Sequence, residues 1–123
     1  MKVGIKNQIK KTVVEELTAK VMGSGRLDVF ATPAMVAMME EAAHTSVEAE
    51  LEEGQGTVGT SMTVSHLAAT PVGMEVTCES ELVEVDGRKL VFEIKAMDEA
   101  GLIGEARHER FIIENEKFLA KTN

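Results

Sequence analysis

Between Pro33 and about Leu51 the apolar residues recur at helical spacing. Set about 100° apart, Met35, Val36, Met39, Ala43 and Val47 fall on one stripe, and Glu41, His44, Thr45, Glu48 and Glu52 on the opposite face. Pro33 at the first helical position, with Thr32 before it as N-cap, is a start signal, and Gly54 and Gly56 are a stop. Elsewhere the pattern has period two. Ile9 to Val14 is a first β-compatible stretch, followed by a short Leu17 to Met22 segment that Gly23-Ser24-Gly25 breaks. Thr57 to Leu67, Met74 to Val85, Lys89 to Met97 and Leu102 to Ile113 alternate as strands. Asp86-Gly87 suits a two-residue hairpin turn, Asp98 to Gly101 a second turn, and a parity change in the Met74 strand predicts a bulge near Glu81. The polar tail from Asn115 to Asn123 ends in a short helix.

One strand, one long helix and then four antiparallel strands read as an α+β fold, with the curved sheet of about five strands wrapped around the helix. The length of 123 residues fits a single domain spanning 1–123. A chain this short leaves one sheet face under-covered, which predicts a homodimer.

A net charge of −8, with no Trp or Tyr and four Phe, excludes nucleic acid as a partner, since phosphate tracking needs a basic surface and strand stacking needs aromatics. The charge is uneven: residues 28 to 55 hold no Lys or Arg, whereas Arg88, Lys89, Arg107 and Arg110 cluster in the last third. A small anionic ligand can therefore still meet a local basic patch. No apolar run reaches the ~20 residues of a membrane span, and the N-terminus lacks a signal-peptide core, so no membrane and a cytoplasmic location are expected. The single Cys78 permits neither an internal disulfide nor a cysteine-rich zinc site.

Against this background Thr32, Glu40 and His66 stand out as polar residues in mainly apolar segments. A hydroxyl, a carboxylate and an imidazole can move an acyl group where a fold brings them together. Each also has a plain structural role. Thr32 serves as an N-cap, Glu40 lies at the flank of the helical stripe as a half-exposed rim residue, and a lone His66 at a strand end is usually structural. A hydroxyl at a helix N-terminus also sits where an oxyanion is favoured, and a buried Glu40 would serve as a base or nucleophile near neutral pH. His44 and Glu48, at i and i+4, read as a solvated surface pair, and His108 lies on a charge-rich strand facing solvent or ligand. No zincin motif, P-loop, Gly-x-Gly-x-x-Gly or Gly-x-Ser-x-Gly occurs.

The phrases Phe30-Ala31-Thr32-Pro33-Ala34, Met39-Glu40 and His66-Leu67-Ala68-Ala69-Thr70-Pro71-Val72-Gly73 resemble the fluoroacetyl-CoA thioesterase-like branch of the hot-dog-fold thioesterases. So do Leu82 to Arg88 and His108-Glu109-Arg110-Phe111, and the likeness runs from about Ile9 to Ile113. The resemblance implies a hot-dog fold and hydrolysis of an acyl-CoA thioester at a dimer-interface pocket. It carries over Thr32, Glu40 and His66 as the catalytic set and Gly59 and Arg110 as substrate-binding residues, with no metal or cofactor required. In that scheme His66 is the general base or orients it, Glu40 is the nucleophile or activates water, and Thr32 positions it. The Gly59 N–H meets the oxyanion, and Arg110 meets the anionic parts of CoA. Lys20 to Leu27, before the Ala-Thr-Pro motif, contains no aromatic, so the pocket lid is expected to differ and the acyl preference does not carry over. The alternative reading is a non-catalytic acyl-CoA or small-ligand binding module.

Overall fold

The computed structural model describes residues 1–122. Strand β1 (Lys6–Thr12) leads through a 3-10 turn to a one-turn helix α1 (Ala19–Met22), and helix α2 (Thr32–Ser46) follows. Strands β2 (Gln55–His66), β3 (Glu75–Asp86), β4 (Lys89–Asp98) and β5 (Gly101–Glu114) come next, and α3 (Asn115–Ala120) closes the described chain. All pairings are antiparallel, in the order β1-β3-β4-β5-β2. The long helix lies against the inner face of this five-stranded sheet and touches every strand of it. That is the hot-dog arrangement expected from the sequence.

The core forms where the helical and strand periods meet. Met35, Met38, Met39, Ala42, Ala43 and Val47 are buried on α2, and they face Leu90, Phe92, Ile94 and Ala96, alternate residues of β4. Alanines along the contact let the helix approach the sheet closely, and each large side chain buried adds about 1.5–3 kcal/mol. Buried hydroxyls of the core are paired: Ser80 Oγ donates to the Ala42 carbonyl at 3.2 Å, and Thr70 Oγ1 to Asp98 at 2.8 Å.

Several boundaries differ from the sequence reading. The first strand lies earlier, at Lys6–Thr12, because its residues pair with Glu75 to Glu81 and leave Val13 to enter the core. The helix ends at Ser46 and continues as a 3-10 turn over Glu48–Glu50, so Leu51 is outside it. The buried stripe is also broader, with Ala34, Met38 and Ala42 inside and Val36 half-buried. The bulge expected near Glu81 lies between Leu82 and Glu84.

A second bulge matters more. The register of β2 against β5 shifts between Gly59 and Ser61, so Thr60 is the extra residue. Below it Met62, Val64 and His66 pair with the inward-facing His108, Ala106 and Gly104. Above it the parity flips, and Thr57 and Gly59 pair with Ile112 and Arg110. One inserted residue thus puts Thr57, Gly59 and His66 on the same inner face.

Candidate active site

The sequence-selected residues fall into two groups, one at each end of the α2–β2 contact. At the helix start, Ala31 is the N-cap and makes no side-chain capping bond, and Thr32 is already in the helix. The expected N-cap role of Thr32 is therefore replaced: its hydroxyl lies 2.8 Å from His66 Nδ1. His66 is the last residue of β2, and the chain beyond it is tied down by the Leu67 N–H donating to the Ile103 carbonyl at 2.6 Å. Phe30 N–H donates to the Thr70 carbonyl at 2.8 Å, which locks the approach to Thr32 against the segment after His66. Opposite His66 on β5 stands Gly104, where a Cβ would lie 2.7 Å from Met35 Sδ. The bare glycine leaves the room that the end of the Met35 side chain fills behind the pair.

His66 Nε2 is buried and has no hydrogen-bond partner among the described residues. Burial holds the imidazole pKa below its ordinary 6.5, opposed by the Ala68 backbone. The ring is accordingly neutral near pH 7 and able to take a proton.

Two turns along α2, Glu40 reaches the second group. Its Oε2 accepts from Arg110 Nη1 at 3.2 Å and lies 3.9 Å from His108 Nε2. A Cβ on Gly59 would come within 2.8 Å of the same oxygen, so the bare glycine backbone makes room for the carboxylate. Arg110 is buried and uses its other donors on β2: Nε bonds to Thr57 Oγ1 at 2.9 Å and Nη2 to the Thr57 carbonyl at 3.0 Å. Burial lowers the guanidinium pKa and the Glu40 carboxylate raises it. With Nη1 also bonded to His108 at 3.1 Å, four of its N–H groups are held inside the protein. Arg110 is therefore an internal strut for Glu40 and does not stand on an open basic surface.

The two groups do not touch within one chain. Thr32 and Glu40 are eight residues apart on one straight helix, about 12 Å along its axis. His108, which the sequence left between solvent and ligand, is 1% exposed and belongs to the Glu40 group; the signal for it was its spacing of two from Arg110 on a strand. His44 and Glu48 form a 3.3 Å surface pair. Among the described residues no group of three or more His, Cys, Asp or Glu side chains converges as metal ligands do, and no helix is long and apolar enough to cross a membrane.

A model of the fluoroacetyl-CoA-specific thioesterase family matches residues 13–116. The fluoroacetyl-CoA thioesterase of Streptantibioticus cattleyicolor is 46% identical over 94 residues, covering 76% of this chain and 68% of that protein. A solved fluoroacetyl-CoA thioesterase, a threonine-to-serine variant in complex with acetyl-CoA, superposes with a TM-score of 0.94 at 37% identity, covering 98% of this chain and 96% of that one. A thioesterase superfamily member of Thermus thermophilus superposes at 0.89 with 30% identity, covering 96% and 88%.

Proposed function

The chain belongs to the fluoroacetyl-CoA-specific thioesterase family of thioester hydrolases, and we propose that it cleaves an acyl-CoA to the free acid and CoA with Thr32, Glu40 and His66 in a pocket completed by a second copy of itself. The observation that carries this reading is the buried, unpartnered His66 Nε2 beside Thr32, at one end of an edge strand whose other end adjoins Glu40. Among the described residues, strand β2 has β5 on one side and no strand on the other. Antiparallel pairing of two such edges about a two-fold axis exchanges their ends. It would carry the Thr32–His66 pair toward Glu40 and Gly59 of the partner subunit. Leu67, which follows His66 directly, and Val72 further along the same segment, exposed by 56% and 47%, are the apolar surface such a partner or an acyl chain would cover.

In this pocket Glu40 acts on the thioester carbonyl, directly as nucleophile or through a water it activates. The carbonyl oxygen becomes an oxyanion that the Gly59 N–H is suited to meet, and the Thr32 hydroxyl orients the imidazole. On the water route His66 takes the proton of the attacking water and returns it to the sulfur as the C–S bond breaks and CoA leaves as a thiol. On the direct route CoA leaves as an acyl–Glu40 anhydride forms, and a water that gives its proton to His66 then hydrolyses the anhydride to the free acid and Glu40. Arg110, 3.2 Å from Oε2, keeps Glu40 aimed.

Thiol release from acetyl, branched, aromatic and longer acyl-CoA esters tests the reading, with His66→Ala and Glu40→Gln as controls. Turnover should fall by about 10²–10⁴ in each variant. Saturable binding of the same esters without turnover in the wild type would replace it with a non-catalytic acyl-CoA binding module.

A further inference from the structure

His108 is buried at the Glu40 group and has no part in the chemistry above. Its two ring nitrogens face partners whose roles are fixed. The Ser61 carbonyl, 2.8 Å from Nδ1, can only accept, so Nδ1 carries hydrogen. Arg110 Nη1, 3.1 Å from Nε2, can only donate, so Nε2 presents its lone pair. The ring is thereby the neutral Nδ1–H tautomer. Nη1 has two hydrogens, and their acceptors are His108 Nε2 and, at 3.2 Å, Glu40 Oε2. This explains why those two acceptors stand only 3.9 Å apart: they share one donor. Ser61 follows the Thr60 bulge directly, so the feature that turns Gly59 inward also sets the carbonyl that orients His108.

We propose that His108 is a positioning residue that fixes Arg110 through its Nε2 lone pair, and through Arg110 fixes the direction in which Glu40 is held against Gly59. The role of Glu40 rests on the thioesterase reading, but the lock on Arg110 does not. The charged groups against the ring are Glu40 of α2 and Arg110 of β5, while β4 presents Phe92 and β2 the Ser61 carbonyl, both uncharged. A proton on Nε2 would remove the acceptor and set a cation against the guanidinium. Burial and Arg110 both oppose that proton, and Glu40 and the Ser61 backbone favour it.

The test pairs a spectroscopic and a kinetic readout on the full chain. Two-bond nitrogen–proton correlation of the imidazoles near neutral pH should show His108 as the Nδ1–H tautomer. His108→Asn keeps a donor for Ser61 but loses the acceptor for Arg110, and should lower kcat by about tenfold to a hundredfold with KM changed far less. His108→Gln restores an acceptor near Nε2 and should keep kcat within about threefold of wild type. An Nε2–H tautomer, an imidazolium, or equal kcat in the two variants would overturn the proposal. Should His108→Asn fail to fold, the tautomer and the His108→Gln kinetics decide. A wild type without turnover would remove the thioesterase reading and leave the tautomer as the test of the Arg110 lock.

Discussion

Thr32 Oγ1 lies 2.8 Å from His66 Nδ1, and that contact joins the first turn of the long helix to the last residue of an edge strand. The hydroxyl is free for it because Ala31, not Thr32, occupies the N-cap. Whichever atom carries the shared hydrogen, Nε2 on the far side of the ring has no partner among the described residues. The pair is thus oriented on one side and keeps an unused, buried nitrogen on the other.

Removing the hydroxyl should therefore act on rate, not on folding. Thr32→Ala is expected to lower kcat by about 10²-fold, whereas Thr32→Ser keeps it within a few-fold. Thermal unfolding should show less than the ~1 kcal/mol typical of a lost N-cap. A cap-sized loss of stability with unchanged kcat would return Thr32 to a structural role.

The exposed Gly59 and the buried Gly104 should separate activity from stability. At Gly59 a methyl group meets Glu40 Oε2 at 2.8 Å, the far end of a flexible side chain that can swing away. Gly59→Ala is expected to cost activity by about tenfold or more while the fold is nearly as stable. At Gly104 the methyl meets Met35 Sδ at 2.7 Å in the closed core, so Gly104→Ala should destabilise by about 1–3 kcal/mol through overpacking. Denaturant titration beside initial rates checks both.

Acid should weaken the fold through the half-buried His66 and the buried His108. His66 and His108 both have folded-state pKa values below the ordinary 6.5, so the unfolded chain binds more protons just under that pH. Their contribution is complete above 6.5 and is lost as pH falls from there through the folded-state values. Unfolding midpoints measured from pH 7.5 to about 4.5 should decline across this window, and His108→Gln should decline less. Catalysis should fail over the same range, as His66 takes a proton and can no longer act as base.

Much of this was legible in the chain. The helix period, the four alternating strands and the Asp86-Gly87 turn fixed the sheet-around-helix plan, the motif phrases marked Thr32, Glu40, His66 and Arg110, and the family resemblance added Gly59. The pairing within that set was not legible. It depends on the bulge at Thr60, which reverses the inward parity of β2, and no glycine-rich or polar cluster announces it beyond Gly59-Thr60-Ser61. The burial of Arg110 and His108 likewise follows from β5 lying between β4 and β2, a non-local fact. Thr32 looked like an N-cap because Ser and Thr before Pro usually are, and only the contact with His66 shows the hydroxyl engaged elsewhere.

The central claim is that a working site joins His66 of one subunit to Glu40 of its partner. Mixing His66→Ala with Glu40→Gln chains, each inactive alone, under subunit exchange tests it directly. Half of the dimers are then mixed, and each mixed dimer holds one site with both native residues. Activity should recover to about a quarter of wild type. A mixture as silent as its parents, with exchange verified, would place Glu40 and His66 of each site in the same chain and contradict the account.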